Sequence, residues 1–284
     1  MAPPVSQTRP EPGPLVYRQS VWTRATHWLW AICLFFLLLT GLQIFNAHPT
    51  LYLGLESGFD YDNAVLEIGA REGDAGPRGF LRVLGAEVDT TGLLGWSGSE
   101  AAGYAARAFP AWATIPSNQS LALGRIVHFF FAWILVGTLA IWLVASLINR
   151  HIRDLAIGRA DLAALPADIA NHARLRFHHT RRYNVLQKLA YGGVLFVLFP
   201  LIVLTGLSMS PGFNAAAPWL LDLFGGRQTA RTIHFAVMLL LVGFFVIHML
   251  MILAAGPLNE LRSILTGWYR VDPETGKESG HGRD

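Results

Sequence analysis

A chain of 284 residues that is 52% hydrophobic and only 14% charged, with nine tryptophans and a mean hydropathy of +0.39, is too apolar for an ordinary soluble domain and reads as an integral membrane protein. Its single cysteine, Cys33, excludes a disulfide framework, a covalently attached c-type haem, a cysteine-held iron–sulfur cluster and a structural zinc site, so any cofactor falls to histidine or carboxylate. The net charge of +3 is small, and its distribution reads as an orientation signal that calls for no nucleic-acid partner.

In chain order, residues 1–24 form a polar, proline-containing tail carrying Arg9, Arg18 and Arg24. The first apolar run, Ala25 to Phe45, is long enough to cross a hydrocarbon core of about 30 Å. It is too long for a signal-peptide core and no small-x-small site follows, so it is expected to stay as a span. Residues 47–122 are a long connection with nine acids against four arginines, Gly-rich turns, a short amphipathic piece at Gly79–Leu84 and an aromatic stretch at Phe109–Pro116. Three further spans are expected at Leu123–Ile148, Leu186–Met209 and Ile233–Ala254, followed by a tail over 255–284. The connection between the second and third spans is rich in arginine (Arg150, Arg153, Arg159, Arg174, Arg176, Arg181, Arg182). By the positive-inside rule this segment and both tails are cytoplasmic, and residues 47–122 are external. The predicted fold is an all-α membrane protein: residues 25–254 as a four-transmembrane-helix bundle, with one long external loop between the first and second helices.

Ten histidines are present, and four of them fall inside the apolar runs: His27, His128, His234 and His248. Ionisable side chains in a span are costly and usually face the bundle interior in a functional role. Depth sorts the four into two pairs. His27 and His248 lie at cytoplasmic depth, and His128 and His234 at external depth. The fourteen-residue step from His234 to His248 is about 21 Å of rise and only about 40° short of whole turns, so both imidazoles face one way. This is the ligand pattern of two bis-histidine haems b stacked across a bilayer. Arg24, Arg125 and Arg231 each stand three residues before a candidate ligand, where they are placed to pair with haem propionates or to snorkel. Thr40-Gly41-Leu42 recurs as Thr205-Gly206-Leu207, and Gly41 and Gly206 are candidates for making room for the external porphyrin, or for close helix packing.

The run Arg24-Ala-Thr-His27-Trp28, together with His128 and the His234/His248 spacing, resembles the di-haem cytochrome b subunits of respiratory oxidoreductases, which include those of nickel-iron hydrogenase, formate dehydrogenase and thiosulfate reductase. The stretches Arg182–Lys188, Pro218–Gly226 and Gly256–Arg262 look like the branch that works with periplasmic molybdopterin oxidoreductases. The resemblance implies two haems b, ligated by the four histidines. It also implies a bacterial inner-membrane location, and electron transfer between an external catalytic subunit and membrane quinone. A quinone pocket is expected at the cytoplasmic end, among Tyr17, Arg181, Arg182, Tyr183, Asn184 and Lys188. Two other readings stay open: a stand-alone haem b enzyme passing electrons from superoxide to quinone, and a haem-free transporter using histidine proton relays. No Asp or Glu lies in the four runs, which counts against the transporter.

Overall fold

The computed structural model describes residues 13–273 apart from Phe59, Ala75, Ala102, His178, His179, Arg181 and the side chain of His151. Arg181 of the expected quinone pocket therefore lies outside the described residues. Four helices are long and apolar enough to cross a membrane: Val21–Phe45, Leu121–Ile148, Val185–Met209 and Arg227–Ala255. Four such helices indicate a multi-pass membrane protein. Their outer faces leave Phe35, Ile126, Trp133, Leu147, Leu240 and Phe245 largely exposed, a liability in water and the normal lipid-facing surface in a bilayer.

Local chemistry sets where these helices begin. Helix α1 (Val21–Phe45) starts at Ser20, whose hydroxyl accepts from the Thr23 amide at 3.1 Å. After α2 (Leu121–Ile148) comes α3 (Arg159–Ala173), a helix within the arginine-rich connection. Its Asp168 carboxylate accepts from the Val185 amide, and its Asp161 pairs with Lys188 at 2.9 Å. The third span opens as α4 (Val185–Gly193) with a reciprocal cap. There Asn184 Oδ1 accepts from the Gln187 amide at 2.9 Å, and Gln187 Oε1 from the Asn184 amide at 3.3 Å. It widens into one π-helical turn over Val194–Leu198 before continuing as α5 (Phe199–Met209). Pro200 is the cause: it has no amide proton to give the preceding turn, and a wider turn accommodates the loss. Two short helices, α6 (Pro211–Ala216) and α7 (Trp219–Leu223), lead to α8 (Arg227–Ala255). Gly256, in the left-handed region at φ 109°, then turns the chain into the amphipathic α9 (Pro257–Thr266).

The connection over 47–122 corrects the all-α expectation, because it is β-structure. Strands β2 (Thr50–Tyr52), β3 (Ala64–Gly73), β4 (Gly76–Val83) and β5 (Ala86–Asp89) form one antiparallel sheet in that order, and β6 (Gly95–Ser99) pairs with β7 (Gly103–Arg107). The piece expected to be amphipathic at Gly79–Leu84 is most of β4, and Leu84-Gly85 is the hairpin turn into β5, both at positive φ. Gly95, at φ 75°, sits hard against the Gly69 carbonyl, a backbone approach only glycine permits. At the two ends of the described chain, β1 (Leu15–Tyr17) pairs antiparallel with β8 (Trp268–Arg270).

The chain divides into two compact units. One gathers the residues up to His27, Trp142–Gly193 and Phe244 onward. The other gathers Trp28–Ile141 and Val194–Gly243. In the second unit the sheet is seated on helix ends: Phe45, Leu51, Ile68 and Ala108 form its buried core, with Phe109 and Phe235 packed against them. The Phe45 and Phe235 rings lie 4.7 Å apart.

Candidate functional site

The second unit holds His128 of α2 and His234 of α8. The two half-buried imidazoles lie within electrostatic reach of each other. Each is met by a threonine from a different span. Thr40 Oγ1 lies 3.0 Å from His128 Nδ1, and Thr205 Oγ1 lies 3.0 Å from His234 Nδ1. The next residue in each case is the glycine singled out in the sequence. A Cβ on Gly41 would stand 3.5 Å from His128 Cε1, and one on Gly206 would stand 3.4 Å from His234 Cε1. The nearest neighbours of both glycines are therefore the imidazoles. Gly206→Val is expected to push the His234 ring off its seat, lowering bound chromophore at this pair and sparing the other; absorbance per chain of the purified variant measures it.

The first unit brings His27 of α1 and His248 of α8 together with ring centroids 6.4 Å apart and planes at 53°, and Phe244 stacks on His248 at 5.6 Å. Around this pair α9 and β8 supply a polar cluster. Tyr269 donates to Glu260 at 2.8 Å, and Arg18 lies over the rings of Tyr269 at 4.4 Å and Tyr183 at 4.9 Å. Burial, reinforced by the Glu260 carboxylate, pushes the Tyr269 phenol well above its ordinary range. A folded-state pKa raised above the unfolded value stabilises below the unfolded pKa, about 10, and loses that contribution as pH climbs past it. The unfolding temperature in detergent is accordingly expected to stay level up to about pH 9.5 and to fall from about pH 10 upward, and to fall less in Tyr269→Phe.

Among the described residues no three His, Cys, Asp or Glu side chains cluster in a way that holds a bare metal ion. Two imidazoles alone suit a metal whose remaining positions come from a macrocycle, as in haem. The spacing fits as well. Two imidazoles on opposite sides of one metal, each nitrogen about 2 Å from it, place their ring centroids roughly 6 Å apart. Arg24 Nε and Arg262 Nη1 are buried without a hydrogen-bond partner, cationic donors of the kind an anionic carboxylate would satisfy.

The three arginines differ in what they touch. Arg24 donates through Nη1 to the Leu265 carbonyl at 2.7 Å. Arg125 is exposed, over the Phe129 ring at 5.8 Å. Arg231 donates to the backbone carbonyls of His48 and Thr50 and lies over Phe45, clipping α8 to the sheet. Of the expected quinone residues, Asn184 and Lys188 are engaged in the α4 cap and the Asp161 pair, Tyr183 is bonded to Gln19, and Tyr17 packs edge-on against Trp268. The sequence reading missed the two threonines, although both stand in the repeated triplet, and it missed Glu260 and Tyr269 because nothing in the tail placed them beside a span.

Comparison with known proteins agrees with this chemistry. Residues 156–267, which include Gly206, Arg231, His234 and His248, match the family model described as prokaryotic cytochrome b561. A protein of Azospira oryzae is 23% identical over 233 residues, covering 81% of this chain and 87% of its own length. It carries the name protein-methionine-sulfoxide reductase subunit YedZ1.

Proposed function

We propose that the chain is a member of the bacterial cytochrome b561-like family of membrane haem b electron-transfer proteins, whose model it matches over residues 156–267, and that it is a di-haem subunit moving electrons between a periplasmic oxidoreductase and the quinone pool of the bacterial inner membrane. The observation that carries the reading is the sorting of the four span histidines into two pairs, one in each compact unit. His128 and His234 would hold one haem b, and His27 and His248 the other. Haem b, when bound, supplies a reversible one-electron couple. What the chain itself does is fix the imidazoles, exclude water from them with the aromatic and aliphatic faces of the spans, and offer unspent cationic donors at Arg24 and Arg262.

Orientation follows from charge: the arginine-rich connection and both tails face the cytoplasm, and the acidic β-structure faces the periplasm. The 47–122 connection is then the docking surface for the catalytic partner, its loops and turns presenting Leu55, Leu84 and Trp112, each more than 70% exposed. The partner is a molybdopterin oxidoreductase, by the resemblance of three sequence stretches, and the name of the Azospira relative favours a sulfoxide reductase. Quinone is handled beside His27 and His248, where Glu260, Tyr269 and Tyr183 are placed to exchange protons at its carbonyls.

The test is a dithionite-reduced minus oxidised spectrum of detergent-purified protein with haem stoichiometry by pyridine haemochrome, followed by reduction with a short-chain quinol. Sharp b-type bands, about two haems per chain and quinol-dependent reduction are expected. A colourless protein from haem-replete cells overturns the reading, and one haem per chain overturns its di-haem part.

A further inference from the structure

The repeated Thr-Gly pair has a role that ligation by histidine does not by itself require. Thr40 and Thr205 are fully buried hydroxyls, each 0% exposed, in apolar helices. Each donates its one proton to its own helix: Thr40 to the Phe36 carbonyl at 2.6 Å, Thr205 to the Leu201 carbonyl at 2.7 Å. At the 3.0 Å contacts with His128 and His234 the hydroxyl oxygen is therefore the acceptor, and imidazole Nδ1 is the donor. The carbonyls of Leu37 and Ile202 lie 3.4 and 3.1 Å from the same two hydroxyls. A neutral imidazole with its proton on Nδ1 presents the lone pair of Nε2 to a metal. Gly41 and Gly206 complete each seat by leaving only backbone beside Cε1.

We propose that Thr40 and Thr205 are positioning residues that set the tautomer and ring angle of His128 and His234, the two imidazoles that would hold a single haem iron, lowering the potential it would have there relative to the same site without these contacts. The inference rests on the assignment of His128 and His234 as ligands. Its physical basis is that an acceptor at the far ring nitrogen raises the basicity of the ligating one, which favours the ferric state. The two contacts are equivalent, one from the first span to the second and one from the third to the fourth, so both threonines act on the same iron.

The experiment uses the full chain, purified in detergent, as wild type, Thr40→Val, Thr205→Val, the two Thr→Ala variants and the two Thr→Ser variants. Haem per chain, potentiometric midpoints and low-temperature electron paramagnetic resonance of the oxidised protein are read for each. With about two haems retained, both valine variants are expected to raise the midpoint of the same haem. The shift is about tenfold in its reduction equilibrium, or 59 mV for one electron. Its low-spin signal moves too, while the second haem stays put, and serine restores both readings. Where a valine variant loses a haem through overpacking, the alanine variant takes its place. Shifts on different haems, no shift, or serine moving as far as valine would overturn the clamp with the di-haem assignment intact. A wild type without haem would instead overturn the assignment, and the clamp with it.

Discussion

His234→Ala protein is expected to purify with about one haem b per chain where the parent carries about two, its reduced b-type absorbance falling by about half. The residue lies on α8 against Thr205 and Gly206, within electrostatic reach of His128. His128→Ala is expected to remove the same haem, and the double variant to lose no more than either single one, because two ligands of one iron act as a unit and their losses do not add. His27→Ala and His248→Ala are expected to remove the other haem, so that only a variant combining one change from each pair is expected to be colourless. The measurement is pyridine haemochrome per chain across the four single and two within-pair double variants. Additive loss within a pair would show that its members serve different irons.

The second large effect is on stability. Arg107 is buried at 9% exposure and spends its whole fork on neutral acceptors: the Phe109 carbonyl at 2.7 Å, the Ser117 carbonyl at 2.8 Å, Thr114 Oγ1 at 2.9 Å and Gln43 Oε1 at 3.3 Å. Burial pulls its pKa down, yet a guanidinium starts so high that it stays charged. It joins the end of α1, the last strand of the β-structure and the approach to α2, and Gln43 continues the network to the Asn118 carbonyl. Arg107→Met keeps the bulk and orphans four buried or half-buried acceptors at about 1–3 kcal/mol each where water cannot replace the donor. A net loss of about 3 kcal/mol or more is expected, a large part of the 5–15 kcal/mol typical of a folded protein. It should appear as a lower unfolding temperature and faster proteolysis within 47–122. Arg107→Lys keeps the charge without the planar fork and should recover only part of the loss. A Met variant as stable as the parent would mean that water satisfies these acceptors.

The spans were legible because bilayer crossing imposes a length and a composition, and both are visible without knowing any contact: the expected first residues, Ala25, Leu123, Leu186 and Ile233, fall within six positions of the observed helix starts. The candidate pairs were legible from depth alone, and His27 with His248 stand at ring-contact distance. The β-structure was hidden for a physical reason. Strand β3 reads Ala-Val-Leu-Glu-Ile-Gly-Ala-Arg-Glu-Gly and buries only Ile68, so no period-two alternation stands out. Its register is set by cross-strand charge, with Arg82 between Glu67 at 2.7 Å and Glu87 at 3.0 Å, a pattern visible only once the pairing is known. The threonine contacts were hidden because a threonine preceding a glycine in a span reads as packing. Only the neighbouring helix reveals what its oxygen accepts.

The pairing of β1 with β8 bears on how the protein is made. Leu15–Tyr17 precedes all four spans and its partner Trp268–Arg270 follows them, so the ladder closes only after all four spans have been synthesised. Arg18, which emerges with β1, settles between Tyr183 and Tyr269, and Arg24 waits for the Leu265 carbonyl. Until α8 is made, the His27 half of its pair is committed to the membrane while the His248 half is missing. The His27/His248 pair is therefore completed late in biogenesis, whereas the Thr40–His128 contact needs only the first half of the chain and can form while the rest is still being translated.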